Sequence, residues 1–150
     1  MSVLLALENP VFRNFLGYAT LVLAKTVAMS VITSFYRMTR KVFINPEDTA
    51  KFGKKLALVS NDPVVERVRR VHLNDLENVV PFVLLGLLYV STGPSLQAAN
   101  LHFRIFAASR FIHSFVYLFA IPQPSRALAF LTGFGVNVSL VYHVLTQATF

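Results

Sequence analysis

The chain has 150 residues, 55% of them apolar and 14% charged, against about 45–50% and about 25% in an ordinary soluble domain. This excludes a disordered chain, which needs low hydrophobicity and dense charge, and argues against a soluble globular domain. The absence of cysteine excludes disulfides, thiolate metal sites and a cysteine nucleophile, while the meaning of the +7 net charge depends on where the charges sit.

The first predicted helix covers residues 10–40. Its apolar stretch, residues 15–35, is interrupted by one charge, Lys25, and at 1.5 Å per residue it is long enough for a hydrocarbon core of about 30 Å. Its length, and the lack of a small-x-small site at its end, favour a retained helix over a cleaved leader. Lys25 is assigned a structural role, reaching an interface or pairing with a neighbouring helix. Residues 41–62 form a polar connection, with Asn45-Pro46-Glu47-Asp48 and Gly53 as turn formers. Asp62 as N-cap and Pro63 at the first helical position open a second helix, residues 63–91. Its first half, residues 66–78, is polar, and only residues 79–90 are continuously apolar, too few to span alone. The polar half must project into the cytosol or lie against other protein.

A turn at residues 91–94 leads to a third helix, residues 96–119, carrying Arg104, Arg110 and His113. A second turn, residues 121–125, precedes a fourth, residues 125–148, which has no Asp, Glu, Lys or Arg after Arg126. These elements predict an all-α membrane protein: one four-helix transmembrane domain with antiparallel successive helices and a cytosolic loop at residues 41–62. Nine of the 14 basic residues lie between Arg37 and Arg70, and the other five are scattered singly through apolar sequence. That placement is a positive-inside signal and calls for a lipid bilayer, with no nucleic-acid partner.

A few polar residues remain inside the spans, where an ionisable group costs about 2.5–3.5 kcal/mol on insertion scales. Arg70, Asn74 and Glu77, at i, i+4 and i+7, share one face of the second helix, and Arg110, His113 and Tyr117 share one face of the third. With Arg126 opening the fourth helix, cationic donors from three elements surround Glu77 at one depth. The spacing suggests a site for a small anion without saying which. The bland alternatives are juxtamembrane anchoring for Arg67 and Arg69, and a neutralising pair of Glu77 with Arg70 or Arg110. His102 and His143 are read as interfacial. The four histidines fall on separate elements without ligand spacing, so no metal is expected. Ser114 does not face His113 and makes a weak nucleophile.

At these residues the chain resembles the MAPEG superfamily, membrane-associated proteins of eicosanoid and glutathione metabolism. The resemblance is carried by residues 34–43, by Asn45-Pro46-Glu47-Asp48, by residues 65–78, which include Arg67, Arg69-Arg70, His72, Asn74-Asp75 and Glu77, and by Pro122-Gln123-Pro124-Ser125-Arg126. It implies a homotrimer in the endoplasmic reticulum or mitochondrial outer membrane, with glutathione as co-substrate bound between subunits near the cytosolic face. By position, Arg37, Arg70, Asn74, Glu77, His113, Tyr117 and Arg126 match the glutathione-binding pattern. Arg69 and His72 fall in the same motif, and Arg110 joins the set from its shared face.

The resemblance makes Arg126 and Tyr117 the expected catalytic residues. The expected reaction is conjugation of the glutathione thiolate to hydrophobic electrophiles, with reduction of lipid hydroperoxides beside it. Two other readings are a prostaglandin E synthase-like isomerase and a non-catalytic lipid-binding or regulatory protein. The isomerase branch has serine and tyrosine where this chain has Ala127 and Phe130, and transferase relatives have a loop cysteine where this chain has Thr49. Activation by thiol reagents is therefore not expected.

Overall fold

The computed structural model describes residues 3–49, 58 and 61–149. Each long helix begins and ends where local chemistry directs it. Asn9 accepts the Val11 amide at 2.9 Å and Pro10 takes the first position of α1 (Pro10–Arg40). The helix closes on Lys41, left-handed at φ 55°, with the Val42 amide returned to the Arg37 carbonyl at 2.9 Å. The short α2 (Pro46–Thr49) follows within the polar connection. Gly53 and the loop residues Lys51, Lys54 and Lys55 lie outside the described residues.

The α3 helix (Pro63–Ser91) starts as expected, the Asp62 carboxylate accepting the Val64 and Val65 amides. Ser95 caps α4 (Leu96–Leu118). That helix ends on Ala120, left-handed at φ 54°, with the Ile121 amide bonded to the Val116 carbonyl. A turn holding a cis Gln123–Pro124 bond leads into α5 (Ser125–Gln147), whose first turn has no side-chain cap bond from Pro124. The predicted ends at 119 and 148 fall one residue earlier, and no strand occurs among the described residues.

The four long helices pack on one another, α1 on α3 and α4, and α5 on α3 and α4. One face of α3 supplies Val68, Val71, Asp75, Asn78, Phe82, Gly86 and Tyr89 to the interior, a repeat of three and four residues. The Phe82 ring stacks on Phe106 with centroids 3.8 Å apart, and Phe15 and Phe103 close around it. Gly86 is required there, because a Cβ would collide with the Phe15 ring. Pro81 has no N–H for the Glu77 carbonyl, and beside this break Asn137 of α5 donates to the Asn78 carbonyl at 3.2 Å.

Large apolar side chains cover the outside instead: Val27, Val31, Leu84, Leu88, Leu101, Ile112, Leu128 and Leu131 are all exposed. Such a surface is matched to acyl chains rather than to water. Among the described residues, α1, α3 and α5 are long and apolar enough to cross a membrane. The α4 helix, expected as a fourth apolar span, is not among them, because it carries Asn100, His102, Arg104, Arg110 and His113.

Candidate functional site

The end of the molecule where α1 finishes and α3 and α5 begin collects the cationic side chains. A cavity of about 390 Å³ opens there, lined by Arg67 and Arg70 of α3, Val116 and Tyr117 of α4, Ala120 and Ile121 of the turn, and Arg126 of α5. Three guanidiniums face it, and no carboxylate among the described residues lines it. A second cavity, of about 300 Å³, lies against the same Tyr117–Arg126 pair and is walled by Asn74, His113, Gln123, Ala127 and Phe130. The Arg126 guanidinium lies over the Tyr117 ring, 4.5 Å from its centroid, and this cation–π contact fixes Arg126 between the two hollows. His113 meets the Tyr117 ring edge-on at 5.7 Å.

Arg126 is the second residue of α5, so its charge adds to the partial positive charge of that helix's N-terminus. The arrangement is suited to an anion carrying more than one carboxylate, or to a group that becomes negative during a reaction. No group of three or more His, Asp or Glu able to hold a metal occurs among the described residues.

The sequence-predicted residues do not all converge on one place. Arg70, Asn74, His113, Tyr117 and Arg126 meet at the two cavities. Arg67, read as a possible anchor, joins them. Arg37 lines a separate hollow of about 160 Å³ with Ser34, Met38, Val42, Phe43 and Asp48. Arg69 turns outward to Glu66 at 3.0 Å, a pair one helical turn apart. Glu77 is exposed and His72 half-buried, and neither forms a hydrogen bond or ion pair with a described residue. Arg110 lies behind the cavity walls, fully buried.

The carboxylate at the centre of the cationic groups is Asp75, not Glu77, and the sequence reading passed over it. Asp75 is fully buried and its Oδ1 accepts both Lys25 Nζ at 2.5 Å and Arg110 Nη2 at 3.0 Å. Glu77 lies two residues on, rotated by about 200° around α3 and away from Arg110. The signal for Asp75 was its place in the buried repeat Val68–Val71–Asp75–Asn78–Phe82, where a carboxylate requires a cation. Lys25 was the one charge inside the first span, and the structure gives it the helix-pairing role. Ser114 is buried and accepts a Lys25 proton at 2.7 Å, a packing contact between α1 and α4. His102 bonds Ser139 and His143 packs on Tyr89.

Residues 15–146 match the MAPEG family. The chain is 53% identical to the microsomal glutathione S-transferase 1 of Sus scrofa over 142 residues, 93% of this chain and 92% of that protein. Identity to the Homo sapiens protein of the same name is 50% over the same shares. The prostaglandin E synthase of Bos taurus is 38% identical over 142 residues, 95% of this chain and 92% of that protein.

Proposed function

The chain belongs to the MAPEG family, and we infer from this membership that it is a membrane glutathione transferase. The observation that carries the reading is 50–54% identity to transferases over nine-tenths of the chain, joined to a cavity faced by Arg67, Arg70 and Arg126. Glutathione has two carboxylates and one ammonium. The arginines suit the carboxylates, and Glu77, with no hydrogen bond or ion pair to a described residue, suits the ammonium.

The chemistry follows from a weak thiol. Free thiols titrate near 8.5, so little nucleophile exists at neutral pH. Arg126, at the start of α5 and held over Tyr117, stabilises the thiolate once its proton has left to water. A shift of about two units corresponds to about 2.7 kcal/mol. The thiolate attacks an electrophilic carbon, a C–S bond forms, and the leaving group departs with its electron pair. Tyr117 holds Arg126 and donates a hydrogen bond to glutathione. The apolar exterior supplies electrophiles dissolved in lipid, and hydroperoxides of lipids are a second substrate class. In the full proposal α4 is the fourth span, three protomers assemble in the endoplasmic reticulum membrane, and a neighbouring subunit brings Arg37 to the glutathione.

An isomerase acting on a prostaglandin endoperoxide is the second reading, supported by the 38% identity to a prostaglandin E synthase. Ala127 and Phe130 wall the second cavity and offer no hydroxyl there, which weighs against it. The test is conjugation of glutathione to a chromogenic aryl halide in detergent. Arg126→Ala is expected to lower turnover about a hundredfold while glutathione binding changes a few-fold. A wild-type rate equal to that of buffer would end the transferase reading, and full turnover by the variant would remove Arg126 from the mechanism.

A further inference from the structure

Arg110 and Asn74 were grouped by the sequence as two ligand-binding residues, but their geometry separates their roles. The Arg110 side chain has no exposed surface, and its Nη2 donates to Asn74 Oδ1 at 2.7 Å and to Asp75 Oδ1 at 3.0 Å, with His113 Nδ1 a longer contact at 3.4 Å. A guanidinium carries donors only, so the Asn74 atom facing it must be the oxygen. The two ends of a carboxamide are otherwise interchangeable, and here Arg110 removes the ambiguity. Asn74 Nδ2 donates to no described residue, and Asn74 lines the cavity that also holds His113, Tyr117 and Arg126.

Arg110 is itself held from behind. Asp75 Oδ1 is shared with Lys25, whose three protons are all used: on Asp75, on Ser114 Oγ at 2.7 Å and on the Arg110 carbonyl at 3.2 Å. Moving Arg110 therefore means moving α1 and α3 together. Asp75 Oδ2, Arg110 Nε and Arg110 Nη1 are buried without a hydrogen-bond partner among the described residues, so Nη2 alone ties the guanidinium to Asn74 and Asp75.

We propose that Lys25, Asp75 and Arg110 form a buried positioning set that fixes the Asn74 carboxamide with its N–H₂ toward the cavity, so that Asn74 selects an acceptor oxygen of glutathione. The inference rests on the glutathione reading above. Arg110 acts through Asn74 and does not touch the ligand. A direct ligand residue and a positioning residue differ in a double-mutant cycle, because only the second loses its effect once its target is gone.

The experiment is calorimetric titration of glutathione into detergent-purified wild type, Arg110→Lys, Asn74→Ala, the double variant and Asn74→Asp, with thermal melts in parallel. Arg110→Lys keeps a cation near Asp75, but its shorter side chain withdraws the nitrogen that reaches Asn74 and Asp75 together, and it is expected to weaken binding about three- to tenfold. The double variant is expected to bind as weakly as Asn74→Ala alone, within about twofold. Asn74→Asp still offers Arg110 an oxygen but presents no N–H to the cavity, and is expected to lose at least as much as Asn74→Ala. It also serves where Arg110→Lys fails to fold. Additive losses in the double variant, wild-type affinity in a folded Arg110→Lys, or wild-type affinity in Asn74→Asp would each overturn the positioning set while leaving the transferase reading intact. No glutathione heat from the wild type would overturn both.

Discussion

At the scale of single residues, ligand charge is what the site has to match. Within one chain Glu77 is an exposed carboxylate with no ion-pair partner among the described residues, in a helix long and apolar enough to span a membrane. Such a group is costly unless something cationic covers it, and the glutathione ammonium is the cation the proposed reaction provides. Charge-assisted hydrogen bonds contribute about 1.5–3 kcal/mol, so Glu77→Gln is expected to raise the KM for glutathione roughly 10- to 100-fold with little change in kcat. Initial rates across a glutathione series check this, and an unchanged KM would take Glu77 out of the site. Arg70, Asn74, Tyr117 and Arg126 were legible because their spacing is a surface pattern at one depth. Asp75 was not, because it lies with Asn78 in an otherwise apolar stripe rather than on a polar face. Reading that stripe for its one carboxylate would have found it, and Lys25 with it.

The helices themselves were legible through their ends. Asn9-Pro10 and Asp62-Pro63 are start signals, and both act as such in the structure. The stops at Lys41 and Ala120 were harder to see, since both sit in the left-handed conformation where glycine is the usual marker. The start of α3 also carries a pH dependence. The Val65 amide, followed by the Arg40 guanidinium and the Val64 amide, holds the Asp62 carboxyl below its ordinary value. A carboxyl with a lowered folded pKa contributes its full stabilisation above the unfolded value, near 3.9, and loses it as pH falls through the folded value. The first turn of α3 is therefore expected to loosen on acidification below about pH 4. Amide exchange at Val64 and Val65, corrected for intrinsic rates, should rise there in wild type and show no such step in Asp62→Asn. Equal profiles in the two proteins would contradict the assignment.

For the whole molecule, the question is how the polar side chains along α4 are accommodated within the bundle. Its polar side chains are answered by neighbouring helices: Asn100 by Asn14 at 2.9 Å, Arg104 by Tyr18 at 3.3 Å, and Arg110 by Asp75, which Lys25 also holds. Partners ascend α1 and α4 together, so the two helices run in the same direction, as required if the turns after α3 and α4 lie on opposite sides of a membrane. The sequence predicted four spans from helix length and the short loops between them, the second with only half its length apolar. It did not show that α4 depends on its neighbours, since that dependence lies in contacts between residues 35 to 86 positions apart.

The dependence makes a signed prediction. The interior holds two cations on one carboxylate. Asp75→Asn leaves both cations buried without a counter-charge, which is expected to cost about 3–5 kcal/mol. Lys25→Met leaves a balanced Asp75–Arg110 pair beside a side chain of similar length, and is expected to hold stability within about 1 kcal/mol of wild type. Thermal melts of the two variants in one detergent decide the matter. If Lys25→Met melts as low as Asp75→Asn, then Lys25 is the principal anchor of α4, and Arg110 is not the partner that the balance of buried charge makes it.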